Sequence, residues 1–353
     1  MKYSLLLFNT LLFGYLSIFD SIAQITHKIG VEAQYGVIIP HAPDLRSISS
    51  SNPYGLELSY SRLNSSKQSW EVCNCFYYLG AQLTQHDFGN PDVLGRATSL
   101  STFFEPILWS ANKLEFTLKS GMGISYLSQV FDEETNPENI FFSSPLSFII
   151  FLQPKLSYRI NDQLEGNFSL IYNHISNGGQ SQPNRGINYP MAGLGLSYVM
   201  GRQKLPSYTP EQKTDKVKFY IDFFSTHRKT GQGDERSFLY GSSLGGYYKI
   251  LPVSALGGGL EVYNDQSLVQ DGDSAWSSFL AAPYIAHHFT FGRFDFSQRF
   301  AYYLHKPEHY TDNTFYQRYI IQYGIWENLQ LGVGMKAHGH VAENIDLRLG
   351  WKF

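Results

Sequence analysis

Glu343-Asn-Ile-Asp-Leu-Arg-Leu-Gly-Trp-Lys-Phe353 alternates apolar and polar residues to the last position. In an extended chain successive side chains point to opposite faces. Ile345, Leu347, Leu349, Trp351 and Phe353 therefore share one face, and Asn344, Asp346, Arg348 and Lys352 share the other. The polar face carries full charges of both signs, too many for the dry centre of a β-sandwich. It suits a strand with hydrocarbon on one side and a wet lumen on the other.

The same alternation recurs upstream. Leu114, Phe116 and Leu118 interleave with Glu115, Thr117 and Lys119, and Leu156, Tyr158 and Ile160 with Lys155, Ser157 and Arg159. Phe294, Phe296 and Phe300 oppose Arg293, Asp295, Ser297 and Arg299. The pattern predicts sixteen strands: 29–40, 53–63, 68–84, 97–110, 113–127, 145–160, 164–176, 190–201, 216–227, 235–250, 254–265, 274–288, 292–305, 313–325, 328–338 and 343–353. The fold class expected is an all-β transmembrane antiparallel β-barrel of the bacterial outer membrane, with about 14–16 strands. An eight-stranded barrel plus a second β region is the alternative. A polar connector at 202–215 separates a first region, 24–201, from the strands of 216–353. A chain ending on an aromatic in such a strand also resembles the C-terminal signal by which outer-membrane proteins are recognised for assembly.

Composition agrees with this class. Aromatic residues are 16% of the chain, with 25 Tyr and 26 Phe, charged residues are only 16%, and there are 31 Gly. A net charge of −3 without a basic stripe gives no nucleic-acid signature. Residues 1–23 read as a secretory signal peptide: Lys2, an apolar run from Leu5 to Phe19, then small residues before a cut after Ala23. Beyond it no stretch approaches the length of about 18 apolar residues that a transmembrane helix needs. Cys73 and Cys75 fall on one face of the expected strand 68–84, where parallel side chains orient a bridge poorly, and no metal ligands accompany them.

The run Leu170-Ile-Tyr-Asn-His-Ile-Ser-Asn-Gly-Gly179 carries the chemistry. His174 and Ser176, two apart in a strand, lie side by side with Phe168, Leu170 and Tyr172. In a barrel that face looks at lipid, an odd place for a base and a nucleophile unless the substrate is itself a lipid. A serine ester hydrolase needs a nucleophile, a base, a group orienting the base, and donors for the oxyanion. Ser176 and His174 supply the first two. The backbone N–H groups of Gly178 and Gly179 can approach a substrate unhindered, Asn177, Asn184 and Asn188 are nearby amides, and Asn188 is placed to hold the His174 ring. If the chain starts in the periplasm, strand 164–176 is the seventh and runs outward, so the pair sits at the outer leaflet.

The stretch His174-Ile-Ser-Asn-Gly-Gly-Gln-Ser-Gln-Pro-Asn-Arg-Gly-Ile-Asn188 resembles the signature of the outer-membrane lipid A 3-O-deacylases, the PagL family. The shared elements are His-x-Ser-Asn, the small pair after it, Gln182-Pro183-Asn184 and Gly186-Ile187. The run from about 29 to 201 also resembles longer PagL-like proteins described as acyloxyacyl hydrolases. The resemblance implies a base at His174, a nucleophile at Ser176, and an oxyanion hole from Asn184 with the amides of Gly178 and Gly179. It further implies lipid A, the lipid anchor of lipopolysaccharide in the outer leaflet, as partner and substrate, and no cofactor. One position departs: the family's Glu falls at Asn188, whose carbonyl can orient imidazole but carries no charge. Outer-membrane phospholipases A also carry His-x-Ser-Asn-Gly with an Asn orienting the histidine, so a phospholipase is the rival reading, and a noncatalytic pore the third.

Outside this motif, His338 and His340 share a face near Glu343, as interfacial or lumen histidines or with less support as metal ligands. Asp132–Glu138 and Asp271–Asp273 read as solvated acidic loops, and the adjacent His287 and His288 face opposite ways.

Overall fold

The computed structural model describes residues 25–178, 181–209, 216–229, 236–269, 275–339 and 341–353. The expected signal peptide, residues 210–215 of the connector, Gly179, His340 and the Asp271–Asp273 loop lie outside the described residues. Among the described residues sixteen strands are present, and they close as two barrels of eight rather than one of sixteen. The first contains β1 (Ile25–Gly36), β2 (Tyr54–Asn64), β3 (Tyr77–Asp87), β4 (Arg96–Ala111), β5 (Leu114–Leu127), β6 (Leu146–Arg159), β7 (Leu164–Ser176) and β8 (Ile187–Met200). The second contains β9 (Val217–Lys229), β10 (Arg236–Leu251), β11 (Ser254–Asp265), β12 (Phe279–Phe291), β13 (Phe294–Tyr302), β14 (Phe315–Gly324), β15 (Leu329–His338) and β16 (Val341–Lys352).

Closure is set by two antiparallel seams. In the first barrel β1 pairs with β8, from His27 opposite Met200 to Gly36 opposite Met191. In the second β16 pairs with β9, from Leu347 opposite Ser225 to Lys352 opposite Tyr220. Each seam pairs the edge strands of one barrel with each other, which removes exposed sheet edges within a bilayer.

The alternation sorts the side chains as the sequence implies. Leu58, Leu100, Ile124, Leu152, Leu170 and Leu194 are exposed on the outside of the first barrel, and Phe223, Leu244, Ile285, Phe300, Leu347 and Trp351 on the outside of the second. The inner faces are polar, but side chains fill them instead of leaving the wet lumen expected. Lys119 reaches across to Glu57 at 2.5 Å, Lys155 to Glu105 at 2.5 Å, and Lys28 to Glu165 at 3.0 Å, all buried. In the second barrel Arg299 meets Asp222 at 2.7 Å and Arg318 meets Glu261 at 2.6 Å. An eight-stranded barrel is only wide enough for its own side chains, so inward charges must pair with one another.

The two ends of the first barrel differ. The loops 37–53, 88–95 and 128–145 and the described residues 177–178 and 181–186 gather at one end, where Leu45, Phe88, Leu94, Phe141, Phe142 and Tyr189 form a buried apolar cap with Ile175 and Ile187. At the other end two of the three connections are tight turns, at 112–113 and 160–163. In outer-membrane barrels the long loops are extracellular and the short turns periplasmic.

The expected strand 68–84 is corrected at its start. Ser66 caps a helical turn at Lys67–Trp70, accepting from the Ser69 N–H at 3.2 Å, and β3 begins only at Tyr77. Asn74 adopts a φ of 54° between the two cysteines, so the chain folds back and Cys73 and Cys75 form a disulfide with Cα atoms 5.1 Å apart. In a strand the same residues would stand roughly 6.8 Å apart with parallel side chains. The left-handed turn makes possible the bridge that the strand assignment orients poorly.

Candidate active site on the lipid face

β7 and β8 form a hairpin whose register places His174 directly opposite Asn188. On the other side of β7, His174 pairs with Ile150 and Ser176 with Phe148 of β6. Phe148, Ile150, Phe168, Leu170 and Tyr172 are all exposed on the outer surface. The polar cluster therefore lies on the apolar wall of the barrel, at its long-loop end.

The Ser176 hydroxyl donates to His174 Nε2 at 3.1 Å, and His174 Nδ1–H donates to Asn188 Oδ1 at 2.7 Å. An acceptor on Nδ1 keeps the proton there and leaves Nε2 with its lone pair toward the hydroxyl. That is the tautomer a general base requires. The three residues form a connected Ser–His–Asn chain with the linkage of a hydrolase triad, its third member an amide in place of a carboxylate.

The remaining predicted residues divide. Asn184 comes close: its Oδ1 accepts the Asn177 N–H at 3.1 Å, which leaves its own amide N–H groups for another acceptor. Gly178 follows with a φ of 69°, a backbone conformation that favours glycine. The Asn177 side chain instead turns into the loop, where its Nδ2 donates to Ser181 O at 2.9 Å and to Ser143 Oγ at 3.1 Å. These bonds brace the loop.

Two residues complete the cluster without having been assigned to it from the sequence. Gly186 has a φ of 66°, and a Cβ built there would stand 3.0 Å from His174 Cε1 and 3.1 Å from Ser176 Cβ. Its place in the shared motif was the available signal. His41 lies in the loop after β1; its Nδ1 is 3.4 Å from Asn188 Nδ2, and its Nε2 is 3.0 Å from Arg185 O. Nothing local marks it, because it meets Asn188 across a separation of 147 residues.

The other singled-out groups serve elsewhere. His338 contacts the Tyr303 hydroxyl at 3.0 Å and stands 3.5 Å from Glu343. Among the described residues no group of three or more His, Cys, Asp or Glu could hold a metal ion. Asp132 accepts from the backbone of Glu134 and Thr135 and so shapes its own loop. His287 contacts Ser254 at 2.8 Å on one face of β12, and His288 contacts Asp295 at 3.0 Å on the other.

Fold and site together define an outer-membrane β-barrel protein with a serine–histidine–asparagine cluster on its lipid-facing wall. More particularly, the chain belongs to the PagL-like acyloxyacyl hydrolase family. The family model described as lipid A 3-O-deacylase (PagL) matches residues 53–197, and that described as acyloxyacyl hydrolase, C-terminal domain, matches residues 217–353. No curated protein matches the chain. Among solved structures it is similar to the outer membrane enzyme PagL, at 19% identity over 47% of this chain and 97% of that one, with a TM-score of 0.32. It is also similar to Neisserial surface protein A, at 9% identity over 49% of this chain and 95% of that one, with a TM-score of 0.31.

Proposed function

We propose that this protein hydrolyses an ester-linked acyl chain of lipid A in the outer leaflet, with Ser176 as nucleophile and His174 as general base. The observation that carries the reading is the doubly bonded imidazole, 3.1 Å from Ser176 Oγ and 2.7 Å from Asn188 Oδ1, on a wall that faces lipid. A water-soluble substrate would have no reason to meet a nucleophile there, whereas an acyl chain lying along Ile150, Leu170 and Tyr172 would bring its ester to Ser176. The match of 53–197 to the lipid A 3-O-deacylase model supports lipid A over other lipids.

In this scheme Ser176 Oγ attacks the acyl carbonyl as His174 Nε2 takes its proton. The Asn184 amide and the backbone N–H groups of Gly178 and Gly179 donate to the oxyanion. The tetrahedral intermediate collapses as His174 returns the proton to the departing lipid A hydroxyl, leaving an acyl-Ser176 ester. Water, deprotonated by His174, then releases the fatty acid and restores the hydroxyl. Asn188 keeps the proton on Nδ1 throughout but brings no charge to stabilise the imidazolium.

The Asn188 arrangement also favours one rival, a phospholipase of the outer membrane. Mass spectrometry of lipid A from Gram-negative cells producing wild type or Ser176→Ala separates the two. Loss of one acyl chain with the wild type alone supports the deacylase. Unchanged lipid A with fatty acid released from phospholipid transfers the reaction to phospholipids, and no release from either lipid overturns catalysis by this site.

A further inference from the structure

An amide has two chemically different ends of nearly the same shape, and a carboxylate does not. At the position where the resemblance implies Glu, Asn188 can point either its oxygen or its NH2 at His174. The first orientation accepts the Nδ1 proton and leaves Nε2 free for Ser176. The second donates to Nδ1, drives the proton to Nε2, and leaves a ring unable to accept the serine proton. A triad closed by asparagine therefore needs something to choose between them.

The hydrogen bonds around Asn188 make that choice. Val37 N–H donates to Pro190 O at 3.1 Å and Ile39 N–H to Asn188 O at 2.9 Å, so the segment after β1 runs beside the start of β8. This brings His41 to the far end of the Asn188 amide. His41 Nε2–H donates to Arg185 O at 3.0 Å, which leaves His41 Nδ1 as an acceptor for Asn188 Nδ2–H at 3.4 Å. Every donor in the chain then points the same way: Ser176 to His174, His174 to Asn188, Asn188 to His41, and His41 to the backbone of Arg185. A peptide carbonyl can only accept, so it sets the direction for all four side chains.

We propose that His41 is a positioning residue that fixes the orientation of the Asn188 amide and, through it, the base-competent tautomer of His174. The proposal rests on the assignment of Ser176 and His174 as the reacting pair. His41 hydrogen-bonds to neither of them, and its positioning role runs through the amide at residue 188.

The test uses the full chain, purified, folded in detergent micelles and assayed for fatty acid released from lipid A. His41→Lys offers Asn188 only donors, so the amide must turn its oxygen away from His174. A hydrogen bond to a charged group weights that reversal, and kcat should fall about ten- to a hundredfold with KM unmoved. His41→Leu removes the bias altogether and should cost about twofold, the loss from balanced orientations. In an Asn188→Asp background the carboxylate has no wrong end, and His41→Lys should change kcat by less than about threefold relative to that background. An equal loss in both backgrounds, or no loss in the native one, overturns the proposal.

A second measurement does not depend on turnover. In protein labelled with 15N at histidine, the His174 ring, assigned by comparison with His174→Gln, should carry its proton on Nδ1 in the wild type and on Nε2 in His41→Lys. An unmoved proton overturns the role of His41 even if the protein acts on no lipid. Absence of turnover with the expected proton shift overturns the hydrolase reading alone.

Discussion

Gly186→Ala should disable the site while leaving the barrel intact, and the size of the effect can be worked from the contacts. The new Cβ would stand 3.0 Å from His174 Cε1, 3.1 Å from Ser176 Cβ and 3.2 Å from Ile175 O. Carbon atoms pack well at about 3.5 Å or more, so the ring and the serine must together yield by about half an ångström. The Ser176–His174 bond, at 3.1 Å, has little length to spare before it ceases to be one. A misplacement of about 1 Å costs on the order of a hundredfold in rate, so kcat should fall roughly ten- to a hundredfold. Holding alanine at a φ of 66° adds about 1–3 kcal/mol of strain, which a membrane barrel closed by eight strands can carry. The assay is the initial rate of fatty acid release from lipid A by purified protein. Folding is checked separately by the faster migration of the unheated barrel on SDS gels. A folded Gly186→Ala protein with kcat within about twofold of wild type would refute the claim that this contact sets the geometry of the dyad.

Other perturbations test the frame around the site. Lys119→Met strands the Glu57 carboxylate inside the first barrel, where both side chains are at most 5% exposed; urea titration in micelles should show a loss of about 3–5 kcal/mol, most of it recovered by adding Glu57→Gln. Recovery would be absent if the lumen were open to water. The Cys73→Ser/Cys75→Ser pair opens a bridge between residues two apart, so the stability loss should stay below about 2 kcal/mol. Because the bridge lies in the 65–76 connection, at the end of the barrel opposite β7's last residues, the rate of acyl release should not move; a large loss of rate would contradict that placement. Asn184→Ala removes a side chain that both shapes the loop and is assigned to the oxyanion, and kcat should drop by about 10²-fold or more with KM little changed. A pure rise in KM would instead assign Asn184 to binding.

Much of the architecture was legible because a strand's pattern is local. The alternation in Ile345 to Phe353 and in Phe294 to Phe300 survives in the structure, since a period of two needs only neighbouring residues to reveal it. The pairing of His174 with Ser176 follows from the same period. Asn188 was within reach of sequence reasoning because a hairpin register brings it opposite His174 only 14 residues later. The strand reading failed at Cys73 and Cys75, where Asn74 leaves the extended region, a choice that alternation does not encode.

The sequence by itself determined which face of each strand meets lipid and which residues could act as base and nucleophile there, because both depend on spacing along one extended segment. Only the tertiary structure decided that the strands close as eight and eight, since one set of alternating faces serves a barrel of either size and the seams β1–β8 and β9–β16 are long-range pairings. It alone decided that the lumens are packed with ion pairs, because the width of the barrel sets the space available to inward side chains. The orientation of the Asn188 amide belongs to the same class. It is settled by His41, brought across 147 residues by backbone bonds that no local pattern records.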